Sequence, residues 1–215
     1  MTNIWGIVVS YLYIFLVIIG AKMFEKLGKE ASRKFIHIML GNWWIIAIFF
    51  FNNVIWAAFV PATFVIINYI SYKKNIISVM EREDNEEEGL GTVYYAISLL
   101  ILSIVTFGVI NKPEMGIVPV FVMAYADGFA AVFGQKIKSK PIKIGENTKS
   151  LAGCITMFIV TFIITSAFLR YTGVPLWPVY AIVMSLFATI IELFSVKGLD
   201  NLTVPMAMYI MLAVM

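Results

Sequence analysis

"IVPVFVMAYADGFAAVFG", residues 117 to 134, is an unbroken run of apolar and small side chains with one aspartate, Asp127, set inside it. A run of this length crosses a bilayer as a helix. The rest of the chain repeats the pattern, and hydrophobicity predicts helices over 4–20, 35–51, 54–70, 93–110, 117–134, 151–169, 175–194 and 202–215. Of the 215 residues 61% are hydrophobic and 13% charged, whereas a soluble domain carries about 25% charged residues. The fold class expected is an all-α, polytopic integral membrane protein of seven or eight transmembrane helices. It forms a single domain over 1–215. The last helix, about 21 Å long at 1.5 Å per residue, is the one short of a full crossing.

The first run, 4–20, has no basic residue before it and five soon after it, the reverse of a cleaved signal peptide. It is kept as the first membrane helix. The basic residues also set orientation. Fourteen of the sixteen lie after helices 1, 3, 5 and 7; only Lys112 and Arg170 lie on the other side. The positive-inside rule puts the fourteen in the cytoplasm and the N-terminus outside. Outer loops are short, "NN" at 52–53, "NKPEMG" at 111–116 and "YTGV" at 171–174, so the polar chemistry gathers on the cytoplasmic side. Basic residues confined to short loops exclude a nucleic-acid surface. The lone Cys154 excludes an intrachain disulfide and reads as a packing residue.

Asp127 is the first candidate functional residue. An ionised group at the bilayer centre costs about 2.5–3.5 kcal/mol on insertion scales, so it faces protein or water and marks function. Asp127, Ala130 or Ala131, and Gly134 share one helix face, where small side chains leave room for a ligand or a close neighbouring helix. The bland alternative is a carboxylate that only pairs with a lysine.

Three further segments carry candidates. "EASRKFIHIMLG", 30–41, brings Arg33, Lys34 and the single histidine, His37, to the mouth of helix 2. Arg grips two phosphate oxygens at once and Lys adds a point charge; membrane-edge anchoring explains the same cations without a ligand. "KIKSKPIKIGENTKSLAG", 136–153, leads Asn147, Thr148, Lys149, Ser150 and Gly153 into a helix N-terminus, where free N–H groups attract anions. It is not a Walker loop, since no glycine stands immediately before Lys149-Ser150. "IIELFSVKGLDNLTVP", 190–205, carries Glu192 within an apolar run and Asp200-Asn201 ahead of a helix whose first turn would hold Pro205. Glu192 and Asp200 at the level of Asp127 would suit Mg²⁺, which takes carboxylates, waters and phosphates; capping is the alternative for Asp200-Asn201. The acidic stretch Glu81 to Glu87 reads as a solvated loop, with Glu88, Gly91 and Thr92 nearest the next helix, and "KKNIISVM" before it as an amphipathic segment.

In this order "RKFIHIMLG" (33–41), "GTVYY" (91–95), "ADGFAAVFG" (126–134), "TKSLAG" (148–153) and "IELFSVKGLDNLTVP" (191–205) resemble the dolichol kinase, phytol kinase and CTP-dependent diacylglycerol kinase family. The resemblance covers about residues 30 to 210. It implies a Mg²⁺-dependent (or Mn²⁺- or Ca²⁺-dependent) kinase that moves a phosphate from CTP to a membrane lipid alcohol, in a bacterial or archaeal cell membrane with the active site facing the cytoplasm. It implies that Arg33, Lys34, Asp127 and Gly134 matter most, with Lys149 and Ser150 in the nucleotide loop. The acceptor's chain is expected to lie in the bilayer. The general base is open among His37, Glu192, Asp200 and Asp127. Dolichol kinases carry extra N-terminal spans that this chain lacks, which favours shorter isoprenoid alcohols, bacterial polyprenols or diacylglycerol. Two rivals stand beside this reading: a cytidylyltransferase acting on phosphatidic acid, and an ion-coupled transporter with Asp127 and Glu192 on its pathway.

Overall fold

A computed structural model describes residues 2–74, 90–144 and 147–215. It contains α1 (Thr2–Phe24), α2 (Lys29–Gly41), α3 (Trp43–Phe50), α4 (Val54–Lys74), α5 (Gly91–Ile104), α6 (Ile117–Phe121), α7 (Asp127–Lys136), β1 (Pro141–Ile144), β2 (Asn147–Ser150), α8 (Leu151–Tyr171), α9 (Trp177–Phe194) and α10 (Asp200–Ala213). Two π-helical turns interrupt the membrane helices. Val105–Val109 extends α5, and Val122–Ala126 joins α6 to α7 into one span, Pro113–Lys136. Among the described residues six helices are long and apolar enough to cross a membrane. The protein is an all-α polytopic membrane protein.

Its packing inverts that of a soluble protein. Ile4, Leu12, Phe15 and Ile19 on α1 and Leu186, Phe187 and Ile190 on α9 face outward, while Ser10, Ser98, Thr161, Thr165 and Ser185 are buried between helices. Without a hydrophobic drive between helices in lipid, small and hydroxylated residues give close backbone approach and interhelical hydrogen bonds. One core gathers Trp43, Trp44, Val60, Leu99, Leu102 and Met123; a second gathers Met157, Leu169, Met184 and Met208.

Four features differ from the sequence expectation. The helix expected over 35–51 is two helices, and it starts earlier, so Arg33 and Lys34 lie within α2 rather than ahead of it. The chain stays right-handed at Asn42, but Asn42 N–H bonds to Met39 O and Ile45 N–H to Asn42 O, three residues back, and the tighter turn redirects the axis. The basic segment 136–153 holds a short antiparallel hairpin, with Ile142 opposite Lys149 and Lys143 opposite Thr148. Ile142 and Ile144 alternate with exposed neighbours, a period of two that a helix cannot use. α10 begins at Asp200, which places Pro205 in its second turn rather than its first. Proline removes the N–H that would bond to Asn201 O, and Ser98 Oγ on α5 donates to that carbonyl instead, at 2.6 Å. At 14 residues α10 is shorter than the roughly 20 needed to cross, so the expected count of seven or eight spans rests on α10 and the broken α2–α3 pair. The acidic run 81–88 and most of "KKNIISVM" lie outside the described residues.

Candidate active site

Two glycines set the distance between α2 and α7. A Cβ on Gly128 would overlap Ile38 Cγ1, and one on Gly41 would overlap Ala124 Cβ. No side chain fits at either point, so the helices approach closely enough for His37 and Lys34 to reach Asp127. Gly128→Val is expected to push them apart, costing about 1–3 kcal/mol in overpacking and most of the activity; thermal unfolding in detergent together with an activity assay checks both.

The π turn then aims Asp127. Its N–H bonds to the carbonyls of Val122 and Ala124, passing over Met123. The carbonyl of Met123 faces His37 Nε2 at 2.9 Å, and the same nitrogen lies 3.1 Å from Asp127 Oδ2. A nitrogen flanked by two acceptors carries the hydrogen and donates it. His37 therefore orients the carboxylate, and its own ring is set by an edge contact with Tyr95. Lys34 Nζ lies 3.4 Å from the same oxygen. Asp127 is 7% exposed.

Two more carboxylates join it. Glu192, 4% exposed on α9, and Asp200, at the start of α10, bring one oxygen each to within 4.8 Å of one another and of Asp127. Lys149, the penultimate residue of β2, forms an ion pair with Glu192 and lies 3.6 Å from Asp200 Oδ2. Burial works against the charged form of Lys149, but Glu192 and Asp200 outweigh it and hold the ammonium above the ordinary lysine range. Three clustered carboxylates repel unless cations stand among them. Hard oxygen donors at this spacing fit a divalent cation of the Mg²⁺ type. The buried Oδ1 of Asn201, beside Asp200, has no hydrogen-bond partner among the described residues and adds a neutral oxygen to the same cavity lining.

These groups line one cavity of about 560 Å³. Asp127, Ala130, Ala131 and Gly134 all face it, the helix face expected from their spacing.

The chain is 30% identical over 209 residues to a phytol kinase of Synechocystis, covering 90% of this chain and 84% of that protein. The chain belongs to the phytol kinase family. It is also 30% identical to phytol kinase 1 of Arabidopsis thaliana and to a probable phytol kinase 1 of Oryza sativa, both chloroplastic, of which it spans 68% and 62%. No family model and no solved structure matches it significantly. Family membership makes the chain a phosphotransferase.

Within this member of the family the remaining expected residues fall into three groups. Arg33 lines the cavity but pairs with Glu30 at 2.6 Å, and its Nε is buried with no hydrogen-bond partner among the described residues. Ser150 caps α8, accepting from Gly153 N–H at 3.1 Å, and Gly134 meets that turn: a Cβ there would lie 2.6 Å from Ser150 Oγ. Ser150, Gly153 and Gly134 thus fasten the hairpin and α8 to α7 while lining the cavity. Thr148 lines it too; Asn147 is placed by its backbone pairing with Ile144. Thr92 and Asn201 are tied to the site through the backbone: Asn201 Nδ2 donates to Gly91 O at 3.3 Å, and Asn68 Nδ2 donates to Thr92 O at 3.0 Å. Asn68 was not expected. Its signal was a single amide inside the apolar run of α4, which a bilayer tolerates only where protein satisfies it.

Proposed function

We propose that the chain is a lipid-alcohol kinase that moves the γ-phosphate of a nucleotide, CTP by family resemblance, to the hydroxyl of a membrane isoprenoid alcohol or diacylglycerol. One observation carries this reading: three carboxylates and two lysines from separate segments converge in a cavity whose opposite end is apolar. A nucleotide needs the first end and a lipid alcohol the second.

Asp127, Glu192 and Asp200 would hold Mg²⁺, which would supply charge neutralisation on the phosphates. Lys34 and Arg33 line the same cavity and would receive phosphate oxygens. The acceptor oxygen bonds to the γ-phosphorus, the bond from that phosphorus to the β-phosphate oxygen breaks, and the nucleoside diphosphate leaves with the electron pair. The hydroxyl proton passes to a carboxylate of the trio. His37 Nε2 already donates to two acceptors, so this nitrogen holds Asp127 in position and is not the atom that takes the proton. Phosphoryl transfer demands alignment and charge compensation above all, and these residues supply both. Fourteen of sixteen basic residues on one side support a cytoplasmic opening.

The test is product identity. Purified protein with Mg²⁺ is given a panel of lipid alcohols, each paired with γ-labelled CTP, ATP, GTP or UTP. Labelled lipid phosphate is expected. Release of pyrophosphate with a CDP-lipid would make the protein a cytidylyltransferase, and absence of lipid product under every pairing would turn the reading toward transport.

A further inference from the structure

The hairpin segment carries more charge than the site uses. Residues 135–144 hold Lys136, Lys138, Lys140 and Lys143 and no acid. All four lysines are exposed, and none has an ion-pair partner among the described residues. Lys34 and Lys149, by contrast, are paired with carboxylates. The cavity takes Ser139 and Pro141 from this segment and none of the four lysines.

Position decides what these charges meet. Lys136 ends one membrane span and Leu151 begins the next. The segment between them is clamped to the second span: Leu151 N–H donates to Lys140 O at 3.0 Å, and Ala152 N–H donates to Ser139 Oγ at 3.0 Å. Phe133 and Ile137 at the end of α7, and Leu151 and Ile155 at the start of α8, are each 40–50% exposed, so both span ends present an apolar wall to lipid. The lysines therefore stand at headgroup level. Their stems can lie along that wall while the ammonium groups reach phosphates. The positive-inside rule accounts for basic residues on this side. It does not require four of them exposed and unpaired on one short, clamped segment.

We infer that this hairpin segment is a docking surface for anionic phospholipid headgroups of the adjoining leaflet. Clusters of lysine immediately beside a span collect acidic lipid, each lysine adding about a fivefold preference. The assignment does not depend on the lipid-alcohol kinase reading.

The test places a fluorophore at Ile137→Cys, with Cys154→Ser leaving it the single thiol, in nanodiscs of mixed phosphatidylcholine and phosphatidylglycerol. A minor fraction of one lipid or the other carries a nitroxide near its headgroup, and quenching reports which lipid stands beside the hairpin. At equal mole fraction, labelled phosphatidylglycerol is expected to quench about fivefold more than labelled phosphatidylcholine. The same probe at Ile55→Cys, 75% exposed at the start of α4 and across the membrane from the hairpin, should show no preference. Combining Lys138→Gln, Lys140→Gln and Lys143→Gln should abolish the preference at residue 137. So should salt at about 0.5 M, which shortens the screening length to about 4 Å and needs no variant to fold. Equal quenching by the two lipids overturns the proposal, as does a preference that survives the substitutions or the salt, or one that is just as large at residue 55. If the lipids quench equally while the three substitutions, in an otherwise native chain, raise the nucleotide KM in phosphatidylcholine alone, the lysines gather nucleotide and the proposal falls.

Discussion

Asp127→Asn is expected to lower lipid-phosphate formation by about 10²- to 10³-fold while leaving expression, membrane insertion and helix content unchanged. The amide keeps the shape of the carboxylate and retains one oxygen for His37 Nε2, which now lies 3.1 Å from Oδ2. The fold therefore keeps its hydrogen bond. What disappears is the charge: Lys34, 3.4 Å away, loses its counter-ion, and the trio with Glu192 and Asp200 loses a third of its negative charge toward a divalent cation. Removing a buried charge from an ion pair also leaves the partner uncompensated, so a modest fall in thermal stability accompanies the loss. Activity within about threefold of wild type, too small for a preorganised electrostatic contact, would remove Asp127 from the chemistry and leave it a structural ion-pair partner. The measurement is lipid phosphate formed per folded protein, with sodium-carbonate extraction and circular dichroism as controls.

Much of this site was legible because a bilayer makes polar residues conspicuous. Asp127 and Glu192 stood out as carboxylates in apolar runs, and they meet. Asp200 was harder, since an acid at a helix start also serves as a cap; its position beside the other two decides more than its sequence neighbours did. The membrane helices followed from length and hydropathy alone, whereas the breaks within them did not. A π turn changes one hydrogen-bond register without changing composition, so nothing in "VMAYA" announced that Met123 O would turn to His37. The hairpin was missed for a related reason: glycine, lysine and proline signal a loop, and the two isoleucines that mark the strand are too few to establish a period. Asn68 was overlooked because amides attract less suspicion than charges. Spacing puts Lys149 just ahead of the α8 N-terminus, but its partners across the chain are carboxylates, a contact that spacing along the chain cannot reveal.

That contact yields the second large effect. Lys149 stands where it neutralises Glu192 and Asp200, two of the three residues that would hold a divalent cation. In Lys149→Met the aliphatic stem is kept and the ammonium is lost, so buried Glu192 and half-buried Asp200, beside Asp127, are left without their nearest cation. Breaking a buried pair by removing one partner costs about 3–5 kcal/mol. The lower end applies here, because 28% of the Lys149 side chain is exposed and water screens part of the loss. In chelator the variant should melt well below wild type. A cation that binds the folded state stabilises it by mass action, so added Mg²⁺ should recover more of the melting temperature in the variant than it adds to wild type, where the ammonium competes for the same oxygens. Lys149→Arg keeps the charge and should show neither effect. Equal melting of variant and wild type in chelator, with equal shifts on adding Mg²⁺, would mean that Lys149 is not what balances the acidic trio.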